Sequence, residues 1–223
     1  MIERIRISYA NCYLLSGEGG SILIDTCNFK DGEKIYNRVK DKNVKLIFLT
    51  HGHFDHVSSA KYLSKRLNVP IAMSREDEHL IGHGTESRLA GHTFIGRVMS
   101  FNSQSVLKKA TYSIFEPDIW LEDGMSLEEY GVSAHAITLP GHTVGTVGVI
   151  TDDGRDIIVG DAMFNMLRPT GARLYEDRPI MERSVQKIRD TGAATIYVGH
   201  GKPILRQAFF KNGRRYADLK VNK

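Results

Sequence analysis

The stretch Thr50-His51-Gly52-His53-Phe54-Asp55-His56 decides how the rest of the chain is read. A single histidine is usually a surface or satisfied core residue, but three histidines and an aspartate packed into six positions have the density of a metal site. In an extended segment residues two apart project to the same side, so His51 and His53 converge on one ion. Gly52 leaves room for that approach. If the backbone then turns into a helix starting near Val57, Asp55 and His56 point across to a second ion. A pair of cations about 3.5–4 Å apart suits hydrolysis through a shared hydroxide.

Upstream, Lys45 to Leu49 is a short buried strand that delivers the chain to His51. Before it, Ile2 to Ser8, Tyr13 to Leu15 and Ser21 to Ile24 read as strands of a small antiparallel sheet, punctuated by Gly17-Glu18-Gly19-Gly20. Ile35 and Val39 sit at helical spacing after Asp31, a candidate cap. Downstream, Val57 to Leu67 has helical spacing at Ala60, Leu63 and Leu67, and Val69 to Ala72 reads as a strand. Residues 75–117, glycine-bearing and without sustained period, read as a partly helical insertion. A second group of strands covers Ser133 to Leu139, Val147 to Thr151, Asp156 to Val159 and Thr195 to Val198, with a turn at Asp152-Asp153-Gly154. A helix over Arg178 to Arg189 and a basic helical end from Ile204 complete the pattern. Two strand groups with helices outside each predict two facing sheets covered by helices, in one domain over residues 1–223.

Three further ligand-type residues stand where predicted strands end, in Pro140-Gly141-His142, Gly160-Asp161 and Gly199-His200. With residues 51 to 56 they complete an ordered set that resembles the metallo-β-lactamase superfamily, whose His-x-His-x-Asp-His signature and later His, Asp and His all have counterparts between about Asn11 and Gly201. The resemblance implies a four-layer αββα sandwich with the site at one edge between the sheets. It implies one metal on His51, His53 and His142, another on Asp55, His56 and His200, and Asp161 bridging them. Asp25, after Ile22-Leu23-Ile24, resembles the supporting acidic residue of that superfamily; a turn or cap role is the competing reading. Thr143 either supports His142 or caps a turn. Imidazole and carboxylate ligands suit zinc first, with iron, manganese or cobalt compatible.

The resulting expectation is a binuclear metal-dependent hydrolase in which a metal-bridged hydroxide attacks a small ester, thioester or lactone, with Asp55 both ligand and proton relay. Substrate contacts are sought in the loop 162–173, where Arg168 and Arg173 can meet an anionic group and Phe164, with Met163, Phe94 and Tyr112, can supply an apolar wall. His79, His83, His92 and His135 lack comparable settings and read as surface or structural residues.

Only about twenty residues follow His200, too few for the long helical region that binds the thiol peptide in glyoxalase II. A phosphodiesterase or ribonuclease of the same fold is an alternative that the basic stretch from Lys202 to Lys223 encourages. A mononuclear-iron sulfur dioxygenase is another, separable by metal count. A flavo-di-iron protein normally has Glu in place of His53, and a non-catalytic binding module would have no need of an unbroken ligand set.

Bulk properties fit a folded globular chain: 41% hydrophobic and 25% charged residues give no sign of wholesale disorder. The formal net charge of +4 is spread among acidic residues outside the C-terminal stretch, so nucleic acid is a minor expectation beside a small-molecule substrate. Neither a secretory signal nor an apolar run of membrane-spanning length is evident, which predicts a cytoplasmic protein without membrane contact. Cys12 and Cys27 are expected to be buried, reduced thiols.

Overall fold

The first strands alternate between two destinations. In a computed structural model, which describes residues 1–81 and 115–207, Leu14, Leu23 and Ile47 face outward to helices, whereas Tyr13, Leu15, Ile22, Ile24, Leu46 and Phe48 face inward to a second sheet. Strands buried on both faces must be apolar throughout, which is why these segments read as runs rather than as alternating patterns.

The first sheet has six strands in sequence order: β1 (Ile2–Arg6), β2 (Asn11–Ser16), β3 (Ser21–Ile24), β4 (Val44–Phe48), β5 (Ile71–Met73) and β6 (Ile119–Trp120). The first three pair antiparallel, as expected; from β3 onward the pairing is parallel, with Ile24 opposite Phe48. Parallel neighbours need crossovers. Helix α1 (Gly32–Val39) supplies the one between β3 and β4, burying Ile35 and Val39. Asp31 occupies its N-cap position without a side-chain capping bond; its carboxylate takes the Asn28 amide instead.

The helix expected over Val57 to Leu67 is two helices, α2 (Phe54–Val57) and α3 (Ala60–Leu67). The break falls where the His56 carbonyl, which would accept from the Ala60 amide in a continuous helix, is taken instead by the Thr26 amide at 2.7 Å and by Thr26 Oγ1 at 2.8 Å. Pro70 has no amide to give, and the next strand starts after it.

The second sheet runs β14 (Ile204–Leu205), β12 (Thr195–Tyr197), β9 (Asp156–Ile158), β8 (Val147–Thr151), β7 (Ala134–Thr138). Its outer face packs on α4 (Arg178–Asp190), which presents Met181, Val185 and Ile188 at helical spacing and is capped by Asp177 through the Ile180 amide at 2.9 Å. The basic helical end expected from Ile204 begins instead as β14: Ile204 pairs with Ile196, and burial at this sheet edge outweighs helical propensity. Residues 208–223 lie outside the described residues. A small third sheet joins β11 (Thr170–Gly171), β10 (Met163–Asn165) and β13 (His200–Gly201).

Three apolar clusters therefore occupy the three interfaces of a helix-sheet-sheet-helix sandwich, which is the αββα arrangement expected. Of the insertion, Arg75–Leu80 forms a 3-10 turn; residues 82–114, with His83, His92, Phe94 and Tyr112, lie outside the described residues. Cys12 and Cys27 are free and buried.

Candidate metal centre

All seven predicted ligand residues follow the ends of strands at one edge of the sandwich, His51, His53 and His142 in connecting segments, Asp55 and His56 in α2, Asp161 in a 3-10 turn and His200 at the start of β13. After β4 the chain runs through Thr50 to His51, and His53 is still extended, at the N-cap of α2. The helix starts at Phe54 rather than near Val57, so Asp55 and His56 sit in its first turn. Gly52 has no room for a side chain: a Cβ there would lie 2.6 Å from Leu80 Cβ. The same holds downstream. Gly160 has φ +51 and would press on Thr50 Oγ1, while a Cβ at Gly199 would fall 2.0 Å from Asp161 Oδ1.

The structure gathers these side chains into overlapping groups, His51 with His53 and His142, Asp55 with His56 and His200, and His51 with His56 and Asp161, the donor atoms of each group lying within 4.8 Å of one another. His142 Nε2 lies 3.0 Å from His53 Nδ1. His200 Nε2 lies 3.3 Å from Asp55 Oδ2 and 3.3 Å from Asp161 Oδ2. Asp161 is the central piece, since it also approaches His56 through Oδ1 at 3.5 Å and His142 through Oδ2 at 3.6 Å.

The outer nitrogens explain the orientation of the rings. His142 Nδ1 faces the Leu174 carbonyl at 2.7 Å, His200 Nδ1 the Tyr9 carbonyl at 3.2 Å, and His56 Nδ1 the Asp25 carboxylate at 2.8 Å. Carbonyl and carboxylate oxygens only accept, so these rings donate outward from Nδ1, and in the neutral form each turns a lone pair inward on Nε2. Thr50 Oγ1 donates to Asp25 Oδ2 at 2.9 Å and so accepts from His51 Nδ1 at 3.0 Å. That leaves His51 Nε2 buried with no hydrogen-bond partner among the described residues, and the same is true of Asp161 Oδ1. Buried polar atoms without partners are costly, and here they are acceptors aimed at one another. Such a donor set fits cations.

Electrostatics divides the site. Burial and the neighbouring imidazoles push His51 down, and burial takes His53 down to about 3. For His56 burial acts in the same sense but is outweighed by Asp25, Asp161 and Asp55, which raise it to about 9. His200 is likewise raised against burial, by Asp161 and Asp55. Burial opposes ionisation of Asp55 and Asp161, yet the surrounding histidines hold Asp55 well below the usual carboxylate range and Asp161 at about 2.

Asp25 has the supporting position: besides His56 it takes the Thr50 amide at 2.8 Å, from a backbone with φ +60. The Thr143 hydroxyl donates to Asp77 and its amide donates to Thr146 Oγ1, the bond of a turn. Phe164 stacks on His200 at 5.3 Å and meets His142 edge-on at 6.2 Å. Met163 is core, packed in the cluster with Met181. Arg168 is exposed and Arg173 half-buried on the adjoining loop. His79 is exposed, and His135 pairs with Asp152 across the surface.

Two residues at the site had no signal in the sequence. Tyr9, just past β1, stacks on the other side of His200 at 5.5 Å, and burial together with the Asp55 carboxylate pushes its hydroxyl far up from the ordinary tyrosine range. Asp77 is fully buried although it belongs to the charged run Arg75-Glu76-Asp77-Glu78, which looks like a solvated face.

Comparison with known proteins agrees with this architecture. Hydroxyacylglutathione hydrolase GloC of Haemophilus influenzae is 28% identical over 158 residues, 69% of this chain and 65% of its own length. An uncharacterized protein of Aquifex aeolicus is 31% identical over 156 residues, again 69% of this chain and 65% of its own. The chain thus spans just under two thirds of these relatives. The structure of BLEG-1 B3 metallo-beta-lactamase superposes with a TM-score of 0.72 at 20% identity, covering 92% of this chain and 94% of the other. TTHA1623 in a di-iron-bound form gives 0.67 at 21% identity, covering 91% and 94%. Residues 5–200 match the family profile described as the metallo-beta-lactamase superfamily, and the chain belongs to that superfamily.

Proposed function

We propose that the protein is a binuclear metal-dependent hydrolase of a small ester, thioester or lactone. The observation that carries this reading is the inward convergence of histidine lone pairs on the orphaned His51 Nε2 and Asp161 Oδ1. His51, His53 and His142 would hold one ion, Asp55, His56 and His200 the other, with Asp161 shared. Two divalent cations bound there, zinc being the first candidate and iron or manganese the alternatives, lower the pKa of a shared water and polarise the scissile carbonyl.

The chain's own groups supply the rest. Asp25 and the Leu174 and Tyr9 carbonyls fix the ring orientations, so that no imidazole must turn when ions enter. The Asp55 carboxylate, kept ionised by His56 and His200, accepts and passes on the proton released by the attacking water. Phe164 walls the site beside His142 and His200, and Arg168 and Arg173 meet an anionic group on the substrate. The similarity to a hydroxyacylglutathione hydrolase and to probable metallo-hydrolases of Bacillus subtilis supports hydrolysis as the reaction.

The test is metal analysis of the purified protein alongside a panel of thioester, lactone, ester, phosphodiester and β-lactam substrates. Two ions per chain with turnover of an ester, thioester or lactone is the expected result; Asp55→Ala should then lose about 10²–10⁴-fold in turnover. One iron per chain with oxygen consumption would overturn the assignment.

A further inference from the structure

Asp77 has no part in the proposed chemistry, yet among the described residues its carboxylate accepts hydrogen bonds from the two loops that carry the histidines of one subsite. Its Oδ2 accepts from the Gly52 amide at 2.8 Å and from Thr143 Oγ1 at 2.8 Å, and its Oδ1 accepts from the Gly145 amide at 2.7 Å. Gly52 lies between His51 and His53; Thr143 follows His142. The first loop leaves the first sheet and the second leaves the other sheet, so one buried carboxylate ties the two sheets together where three of the ligand residues emerge.

Both glycines are shaped around it. A Cβ at Gly145 would lie 2.5 Å from Asp77 Oδ1, and one at Gly52 would lie 3.1 Å from the Asp77 carbonyl oxygen. Burying a carboxylate is expensive, and a fully buried one with three well-made donors is a fixed strut rather than a surface charge. Asp25 holds the other subsite directly, through His56, and reaches His51 only by way of Thr50.

We propose that Asp77 is a positioning residue for the His51/His53/His142 subsite, setting the distance between the His51–His53 segment and the His142 loop and so the affinity of that subsite for its ion. The inference rests on the binuclear reading. Its consequence is asymmetric: loss of Asp77 weakens one ion and spares the other.

The experiment is stepwise metal binding to the metal-free full-length protein, followed by chelator competition and by the visible absorption of the cobalt(II)-loaded form. Wild type, Asp77→Asn, Asp77→Ala and Thr143→Val are compared. Asparagine keeps the shape but turns an amide N–H toward at least one of the three donors. Asp77→Asn is expected to weaken one binding step by about 10–100-fold, as loss of a supporting carboxylate does. That step should be the one abolished in His53→Ala and retained in Asp55→Ala. Thr143→Val removes one bond, leaves the carboxylate, and should shift the same step less; it also serves if the Asp77 variants do not fold. Equal weakening of both steps, or unchanged binding in every variant that folds, would overturn the proposal while leaving the hydrolase reading intact. Wild-type protein that takes up fewer than two ions would instead sink the binuclear reading itself.

Discussion

Replacing Asp25 by Asn tests whether the orientation of His56 is imposed from outside the site. The substitution is unusually clean. Asp25 sits at φ +60, a region in which Asn is as comfortable as Asp, so the backbone is not perturbed. What changes is the acceptor count. The aspartate accepts from the Thr50 amide, the Thr50 hydroxyl and His56 Nδ1, whereas an asparagine offers one oxygen and puts an N–H where the other was. If that N–H faces His56, two donors meet, and the imidazole relieves the clash by moving its proton to Nε2, the nitrogen aimed at the ion. Supporting partners of metal-bound histidines are worth about 10–100-fold in affinity, or roughly 1.4–2.7 kcal/mol, and the loss should fall on the Asp55/His56/His200 step of a chelator competition. The metal-free protein gives a second reading. His56 is raised to about 9 in the folded state, so its protonated pairing with Asp25 stabilises fully below the unfolded value near 6.5 and is lost as pH rises through about 9. The stability gap between wild type and variant in denaturant titrations should therefore shrink from pH 6 to pH 9.5. Metal affinity equal to wild type, with a gap independent of pH, would refute the reasoning.

Other outcomes follow from the same geometry. Gly199→Ala places a methyl group against Asp161 Oδ1 and His56 Cε1, and should cost about 1–3 kcal/mol in thermal or chemical unfolding together with bound metal. Acid should destabilise the metal-free protein between pH 6.5 and about 3, because half-buried His53 is held neutral over a range in which the unfolded chain binds the proton; a flat stability profile across that window would contradict it. Tyr9→Phe keeps the stack on His200 and removes only the hydroxyl whose ionisation Asp55 opposes, so metal content should be unchanged while kcat/KM falls, by no more than about tenfold; loss of bound metal would contradict it.

The layers are legible because strands buried on both faces are apolar throughout, and the ligand set because histidines and aspartates recurring at strand ends are seldom placed there by packing alone. Val147–Thr151 is legible to its observed limits, since Asp152-Asp153-Gly154 stops it chemically. The departures share a cause: tertiary contacts that leave no local mark. Ile204 joins a sheet edge although its neighbourhood is basic, and the helical stretch breaks where Thr26, thirty positions earlier, takes the His56 carbonyl. Asp77 is hidden for the same reason, because Gly52, Thr143 and Gly145, which solvate it, are remote in sequence. Asp25 could be suspected but not assigned, as a residue after a strand caps, turns or supports with equal ease. Tyr9 stands between two strands with no motif around it.

The contribution of both halves of the chain to a single cage also bears on durability. Four of the gathered side chains come from residues 51–56 and three from 142, 161 and 200, so an ion seated among them would bolt one slab of the fold to the other, as a cross-link does. Any excursion that pries the slabs apart would first have to evict the cation, and at a hundredfold excess over its dissociation constant that adds about 2.7 kcal/mol to the work of opening. Resistance to proteolysis would then rise and fall with cellular metal supply.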